Sequence, residues 1–372
     1  MKRQILLTPG PTPLLPSVRT ALAKPIIHHR TPLYQEMVKE VGEGLKSVFQ
    51  TRNDVFCFAS SGTGAMETAV VNFLSPGDKV VVIVGGKFGQ RWGKICQAHD
   101  LNTIVLPVRW GEACDPNHLR ETLKKEGDVR VVYTTLCETS TGVRYDIKGL
   151  ARVAHDQGAL IAVDAISGLA ADPFWMDQWE VDITVSGSQK ALMLPPGLGL
   201  ISVGQSAWEK VSSARLPRFY FDLLKVKNAW EDFDTPFTPA ISLVVALRES
   251  LKKLQKKGIE KVWKETEKLA TYTRGAITNR LGLSLFAKTP SNALTAVTVP
   301  EGVEGKQLIQ SLRDKYGIWV AAGQGDLKGK IFRIAHMGYI QKKDIQLCLT
   351  ALEKELKPNR ARQRVASHAE VS

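Results

Sequence analysis

The stretch VDITVSGSQKALMLPPG, residues 181–197, joins an apolar run, a turn of small residues and a single lysine, Lys190. Val181, Ile183 and Val185 predict a strand, and apolar residues resume directly after the lysine. A lysine in such surroundings is poorly solvated, which lowers its pKa and makes its amine a nucleophile. The ordinary alternative is a solvated lysine, because the chain holds 50 Lys and Arg residues.

Similar apolar runs alternate with helix-like segments from about residue 54 to residue 203. Continuous Val, Ile and Leu runs that end in Gly, Asp or Ser are typical of buried parallel strands. The pattern predicts an α/β fold whose large, mostly parallel sheet lies between helices. The runs are FCFA (56–59), DKVVVIVGG (78–86), DVRVVYTTL (128–136), GALIAVDAI (158–166), VDITVSGS (181–188) and GLGLISV (197–203).

The second half of the chain has a different pattern. Residues 242–282 look helical, and the strand-like segments that follow, with helices near 304–315 and 341–356, predict a smaller α+β domain. Those segments are 292–300, 317–323 and 330–338. We therefore expect an N-terminal arm (1–15), a large cofactor-binding domain (16–255), a small C-terminal domain (256–357) and a disordered basic tail (358–372).

Composition excludes several classes of protein. The 372 residues are 44% hydrophobic, yet no apolar run is long enough to span a membrane. Five scattered cysteines without a CxxC pair argue against disulfides and zinc, and no HExxH or similar metal-ligand spacing occurs. We expect a cytoplasmic protein without a metal site. The net charge of +13 leaves a nucleic-acid-binding protein as an alternative, which requires a contiguous basic patch with interleaved aromatic residues.

Three groups at strand ends suggest a cofactor site, because ligands of open α/β sheets collect at the carboxyl ends of the strands. Asp164 ends one strand, Lys190 follows the next, and SSGTGAME (60–67) begins a helix with small residues that suit a phosphate. Alternatively, Asp164 caps a helix and the glycine-rich turn is structural. An amine, a buried carboxylate and a phosphate cradle are the three requirements of pyridoxal 5′-phosphate.

These segments resemble the class V, fold type I, pyridoxal-phosphate aminotransferases, in particular the alanine–glyoxylate and serine–glyoxylate or serine–pyruvate enzymes. The resemblance extends over nearly the whole chain. It is carried by LLTPGPTP near the start, SSGTG, FGQRWG, ETSTG, VDAISG, SGSQKAL, TPAISL and FRIAHMG near the end.

The resemblance implies a role for each matching residue. Lys190 forms the Schiff base and moves a proton, and Asp164 keeps the ring nitrogen protonated. Phe88 stacks on the ring, and Ala65 stands in the phosphate motif where some relatives have histidine. The other cofactor contacts are Thr63, Gly64, Thr139 and Gln189, with Thr235 and Thr238 reaching the phosphate of a neighbouring subunit; Arg333, Gly10 and Thr139 hold the substrate carboxylate.

By this resemblance the protein is a homodimer with active sites at the interface, and it moves an amino group from alanine or serine to glyoxylate or pyruvate by a ping-pong route. Arg333 is the single arginine that matches a substrate-carboxylate contact. The resemblance therefore favours small monocarboxylic substrates, unless Arg91 or Arg30 enters the site. Alternatives within the fold are a ureidoglycine–glyoxylate aminotransferase and a cysteine desulfurase or lyase. A desulfurase needs a mobile cysteine, whereas Cys348 is predicted to lie in a helix.

Overall fold

The structure is a computed structural model that describes the backbone of residues 4–369 and the side chains of residues 4–356. Its largest sheet has seven strands in the order β2-β10-β9-β8-β5-β3-β4. All of them run in one direction except β10, which is antiparallel to both of its neighbours. The seven strands of this sheet are β2 (Val55–Ala59), β3 (Lys79–Val84), β4 (Asn102–Pro107), β5 (Val131–Thr135), β8 (Leu160–Asp164), β9 (Ile183–Gly187) and β10 (Leu198–Val203). Strand β1 (Ile5–Leu6) precedes them in the chain. A short hairpin of β6 (Cys137–Glu138) and β7 (Val143–Arg144) follows β5.

Helices cover both faces of this sheet, as two separate clusters of buried apolar side chains pack on opposite sides of it. The central strands are buried along their whole length, which explains their unbroken Val and Ile runs. The predicted α/β class is confirmed. The helices up to residue 257 are α1 (Pro16–Leu22), α2 (Pro32–Phe49), α3 (Gly62–Val71), α4 (Lys87–Ala98), α5 (Pro116–Glu126), α6 (Ile147–Asp156), α7 (Gln205–Val211), α8 (Leu223–Trp230) and α9 (Ile241–Lys257).

A three-stranded sheet of order β11-β14-β13 lies in the C-terminal part, and β1 pairs in parallel with β12. The chain there forms α10 (Ile259–Gly275), a π-helical turn (Ala276–Arg280), β11 (Leu294–Thr298), α11 (Gly305–Tyr316), β12 (Ile318–Trp319), β13 (Ala321–Ala322), a 3₁₀ turn (Gly325–Leu327), β14 (Ile331–Ala335) and α12 (Lys342–Ala369). The apolar segment 317–323 therefore forms two short strands, since Val320 separates them.

Two features differ from the expectations. Strand β4 was not predicted; it forms the edge of the large sheet, where only Leu106 of its six residues is buried and the apolar pattern is weak. The backbone of residues 358–369 continues helix α12, where we expected a disordered tail. Ala, Arg and Gln, which recur in this stretch, favour helix. Residues 370–372 lie outside the described residues.

No helix in the described part of the chain is both long and apolar enough to cross a membrane. The five cysteines are all free thiols. Basic residues are interspersed with acidic partners at several points of the surface, as in the contacts of Lys252 with Glu40 and of Lys315 with Glu355. Such pairing is not what a contiguous nucleic-acid-binding patch requires.

Candidate active site

Lys190 lies in the connection between β9 and β10, which run antiparallel and form a wide hairpin. Ser188 closes the hairpin, because its backbone N–H donates to Leu198 O at 3.0 Å and its hydroxyl donates to Pro195 O at 2.7 Å. The side chain of Lys190 is 8% exposed. Burial lowers the pKa of Lys190 to about 8, although the charges of Asp164 and Cys137 raise it; Arg333 and Arg91 lower it further by smaller amounts. A substantial fraction of the amine is therefore neutral in mildly alkaline solution.

The N-terminal segment around Gly10 packs directly on this lysine. The Lys190 amine donates to Pro9 O, and the Thr12 hydroxyl donates to Lys190 O at 2.7 Å. Gly10 adopts φ +100°, and a Cβ atom there would lie 2.5 Å from Lys190 Nζ. Glycine suits this position, because other residues are strained at this φ and a side chain would displace the end of the lysine.

Asp164 ends strand β8, next to β9 in the sheet, and is 4% exposed. Its Oδ1 accepts a hydrogen bond from Ile166 N–H at 2.8 Å. Burial, with a smaller contribution from Glu138, raises the pKa of Asp164 to about 7, against the lowering effects of the Ile166 N–H, Arg91 and Lys190. A carboxylate this deeply buried gains stability from a cationic hydrogen-bond donor.

The N-terminus of helix α3 faces the same region. Ser61 at the N-cap makes no side-chain cap, so the first N–H groups of Gly62 and Thr63 have no acceptor within the helix. The Oε1 atom of Gln189 is buried without a hydrogen-bond partner and lies close to Gly62, since a Cβ on Gly187 would be 3.0 Å from Oε1 and 3.5 Å from Gly62 Cα. Free N–H groups at a helix N-terminus can bind an anion, whereas the Gln189 oxygen can only accept a hydrogen bond.

Phe88 lies in the first turn of helix α4, and Glu138 fixes this turn. The Oε2 atom of Glu138 accepts from the N–H groups of Phe88 and Gly89, each at 3.0 Å, and Oε1 accepts from the Ser140 hydroxyl at 2.6 Å. Glu138 is fully buried, and burial raises its pKa. This carboxylate therefore acts as the cap of α4 and sets the position of the Phe88 ring.

Arg91, one turn further along α4, extends toward the α3 N-terminus. Its Nη1 donates to Thr63 Oγ1 at 3.1 Å, and its guanidinium lies 4.8 Å from the centre of the Phe88 ring. Arg91 thus enters the site, which the sequence had left open. Arg30, the other arginine considered, is exposed in the turn before α2.

Arg333 lies in β14 and is 4% exposed. Its Nη1 donates to Thr139 O at 2.7 Å, and Nη2 and Nε donate to Ala322 O at 2.7 and 3.2 Å. Burial lowers the pKa of Arg333 to about 10, and no carboxylate of the described side chains forms an ion pair with it. Two of its five N–H groups remain free for a carboxylate ligand.

Most of the predicted site residues meet here. Lys190, Asp164, Arg333, Gly10, Thr139, Thr63, Gln189 and Phe88 surround one region. Gly64 lies in the first turn of α3 beside Thr63, and its N–H donates to Ser61 O at 3.0 Å. Three residues do not join it within the chain. Ala65 is fully buried in the core behind α3, the Thr235 hydroxyl donates to Phe237 O at 2.7 Å, and Thr238 is exposed before α9.

Sequence reasoning missed Glu138 and Thr12 as site residues. Each lies inside a segment that we quoted, ETSTG and LLTPGPTP, and the available signal was a polar residue beside a predicted contact residue. Their partners are 50 and 178 positions away in the chain, so the pattern of neighbours does not reveal them.

Cys137 is the cysteine that acts electrostatically on Lys190 and Arg333, but it is buried, and burial raises its pKa. Burial raises the pKa of Cys348 and of Cys96 to about 12. Cys348 is fully buried within helix α12, and Cys57 lies within strand β2 rather than on a loop. A thiol with a raised pKa is a poor nucleophile at neutral pH, which argues against the desulfurase alternative.

The fold and the site together define a transaminase of fold type I. Residues 19–346 match the family model described as aminotransferase class-V, and the chain belongs to this family. It is 41% identical over 95% of its length to the soluble hydrogenase small subunit of Synechococcus sp. (strain PCC 6716), of which it covers 93%. It is 38% identical over 89% of its length to the L-aspartate–glyoxylate aminotransferase of Paracoccus denitrificans, covering 85% of that protein. The solved alanine–glyoxylate aminotransferase of Nostoc sp. superposes with a TM-score of 0.92 at 30% identity, with 96% of each chain covered.

Proposed function

We propose that the protein is a pyridoxal-phosphate-dependent aminotransferase that moves an amino group from alanine or serine to glyoxylate or pyruvate. The observation that carries this proposal is the burial of the Lys190 amine between Asp164 on the neighbouring strand and the cation Arg333. The solved Nostoc relative acts on alanine and glyoxylate by its name, which supports the same substrates here.

The residues present fit pyridoxal phosphate. The N–H groups of Gly62 and Thr63, which have no acceptor within helix α3, would hold the phosphate, and Gln189 would reach it through its amide NH₂ group. Asp164, a buried carboxylate, would accept the N–H of the ring, and Phe88 would lie against its face. When bound, the cofactor supplies an electron sink that stabilises negative charge at the substrate Cα.

The chain's own groups then have distinct tasks. Arg333 would bind the substrate α-carboxylate with its two free N–H groups. Its charge acts on Lys190, so the two groups belong to one site. The Lys190 amine, whose pKa burial lowers to about 8, would remove the proton from Cα of the amino donor in the first half-reaction and deliver a proton to Cα of the new amino acid in the second. The buried walls exclude water from these atoms. Both substrates of a ping-pong reaction use this site in turn.

We propose further that the protein acts as a homodimer in the cytoplasm. The five free thiols support a reducing compartment. Thr235 and Thr238 lie beside the exposed aromatic residues Phe219 and Tyr220, whose rings contact Phe237. Such an exposed aromatic cluster supports an interface through which the two threonines reach the phosphate of the neighbouring subunit.

A half-reaction of the cofactor-loaded enzyme tests the proposal. We expect alanine or serine to remove the visible absorption of the bound cofactor and to yield the corresponding 2-oxo acid, and glyoxylate or pyruvate to restore the absorption. The variant Lys190→Ala should bind the cofactor without that absorption band and give no product. An unchanged spectrum with every amino acid tried, at saturating concentration, would contradict the proposal.

A further inference from the structure

A cavity of about 610 Å³ lies between helices α9 and α10 and the segment 336–341, which joins β14 to α12. We call it the lysine cleft. Its floor is apolar and buried, and lysines lie at its rim. The floor includes Leu15, Ala191, Met193, Leu254 and Ile340, and the lysines are Lys253, Lys257, Lys268 and Lys342. A cavity of this size can enclose a small organic ligand.

The lysine cleft shares a wall with the proposed active site but does not include it. Lys190 and Arg333 are not among its lining residues, whereas Ala191 and Met193, which follow Lys190 in the chain, are. The backbone N–H of Met193 donates to Lys190 O at 2.9 Å, and the Thr12 hydroxyl donates to the same oxygen. A ligand in the cleft would therefore contact the turn after Lys190 without taking the place of a substrate on Arg333.

At least two lysine charges of the cleft have no counter-charge among the described side chains. Glu265 is the one acidic residue in the described lining, and it pairs with Lys257. Lys253 on α9 and Lys268 on α10 form no ion pair with a described side chain, although the neighbouring Lys252 does. Both are exposed, so their ammonium groups are accessible. Accessible cations at the edge of an apolar floor favour a ligand that is anionic at one end and apolar at the other.

Two residues of the cleft have a left-handed backbone, which residues other than glycine rarely adopt. Ala170 has φ +59° and Met193 has φ +60°, and both line the cleft. Ala170 lies in the turns after strand β8, which ends at Asp164, and Met193 lies in the turn after Lys190. Such backbone persists where its surroundings hold it in place, and it is concentrated at ligand sites. The lysine cleft therefore combines unpaired charge with a rare backbone conformation.

We propose that the lysine cleft is a second binding site, which takes an organic acid that is not a substrate. The apolar body of this acid lies on the floor formed by Ala191, Met193 and their neighbours, and its carboxylate pairs with Lys253 and Lys268 at the rim. The site goes beyond the proposed amino-group transfer, because no residue of the cleft has a task in that reaction. Burial of the apolar body and pairing of the carboxylate both contribute to the affinity.

2-Naphthoate and 2-naphthamide test this inference, because they have nearly the same shape and differ in charge. Isothermal titration calorimetry measures their binding to the full-length, cofactor-loaded protein. We expect 2-naphthoate to bind at least about tenfold more tightly than 2-naphthamide, the value of one hydrogen bond to a charged group. Acetate, which has the carboxylate without the apolar body, should bind at least about tenfold more weakly than 2-naphthoate.

The double variant Lys253→Gln/Lys268→Gln should weaken the binding of 2-naphthoate by about tenfold and leave that of 2-naphthamide unchanged. Lys256→Gln/Lys264→Gln is the matched control, because it removes the same charge from exposed positions of α9 and α10 that do not line the cleft. It should keep the wild-type affinities. If 2-naphthoate shows no preference over 2-naphthamide, if the first variant keeps that preference, or if both variants lose it equally, the assignment of the cleft is wrong. Binding at Arg333 instead would leave the first variant unaffected.

Discussion

Glu138 fixes the first turn of helix α4, on which Phe88 lies, and we propose that it positions this part of the site. Its two carboxylate oxygens receive hydrogen bonds from the first turn of helix α4 and from Ser140. In Glu138→Gln, the amide NH₂ group would face either the Phe88 and Gly89 N–H groups or the Ser140 N–H. In both orientations two hydrogen-bond donors would point at each other. We expect a loss of about 1–3 kcal/mol in the free energy of unfolding, measured with denaturant, and weaker cofactor binding.

Two comparisons separate a positioning role from a purely structural one. Glu121→Gln removes the same charge from an exposed position of helix α5 and should change neither quantity. If Glu138 acts through the Phe88 ring, its effect on the cofactor dissociation constant should disappear in a Phe88→Ala background. An undiminished effect in that background would contradict the positioning role.

At the same scale, the sequence predicted the residue types of the site better than their environment. Lys190 and Asp164 stood out because each is charged beside an apolar run, and both are buried in the structure. The cap made by Glu138 and the contact of Arg91 with Thr63 depend on how α4 packs against its neighbours. Such packing is long-range, so no local pattern reports it.

Among the elements, the N-terminal segment has the most direct effect on the lysine. Gly10→Ala would place a methyl group 2.5 Å from Lys190 Nζ and force alanine into φ +100°. We expect this variant to lose about 1 kcal/mol or more of unfolding free energy and to lose most of its transaminase activity, because the lysine must move.

Gly77→Ala is the matched control for this change. Gly77 also has positive φ, +82°, but a Cβ atom there meets nothing within 4 Å. The control should therefore lose a similar amount of stability, measured by thermal unfolding, and keep its activity. Equal activity in the two variants would show that the contact between Gly10 and Lys190 has no catalytic consequence.

The elements themselves were predictable where burial makes the sequence uniform. The strands β3, β5, β8, β9 and β10 are buried on both faces and read as Val and Ile runs. In edge strand β4, apolar and polar residues alternate only weakly, because one side of the strand meets solvent. The split of segment 317–323 into two strands that belong to different sheets is a tertiary effect that a continuous apolar run conceals.

For the whole molecule, the exposed aromatic residues predict how two chains associate. Phe219 is 71% exposed, and its ring centre lies 5.7 Å from that of Phe237. We expect Phe219→Asp to convert the proposed dimer to monomers, because a buried charge at an interface core is costly. Light scattering after size-exclusion chromatography measures the change.

Leu347→Asp provides the comparison, since Leu347 is another exposed apolar residue, on helix α12 and 49% exposed. It should leave the mass unchanged. If the wild-type chain is already monomeric, or if Phe219→Asp stays dimeric, the aromatic cluster is not the interface. The division into domains at residues 255 and 256 remains a prediction, and it falls near the end of helix α9.

The contacts of the N-terminal segment also connect Arg333 and Lys190, the two ends of the proposed substrate site. Leu7 O accepts from Ala335 N–H at 2.8 Å, two residues after Arg333, and Pro9 O accepts from the Lys190 amine. A short stretch of backbone therefore sets the spacing between Arg333 and the Lys190 amine. If the two residues have the proposed roles, this stretch fixes the distance between the amine and the carboxylate of the substrate that can bind. It would accept amino acids whose amine and carboxylate share one carbon and reject β-amino acids, in which an added methylene shifts the reacting C–H bond out of reach.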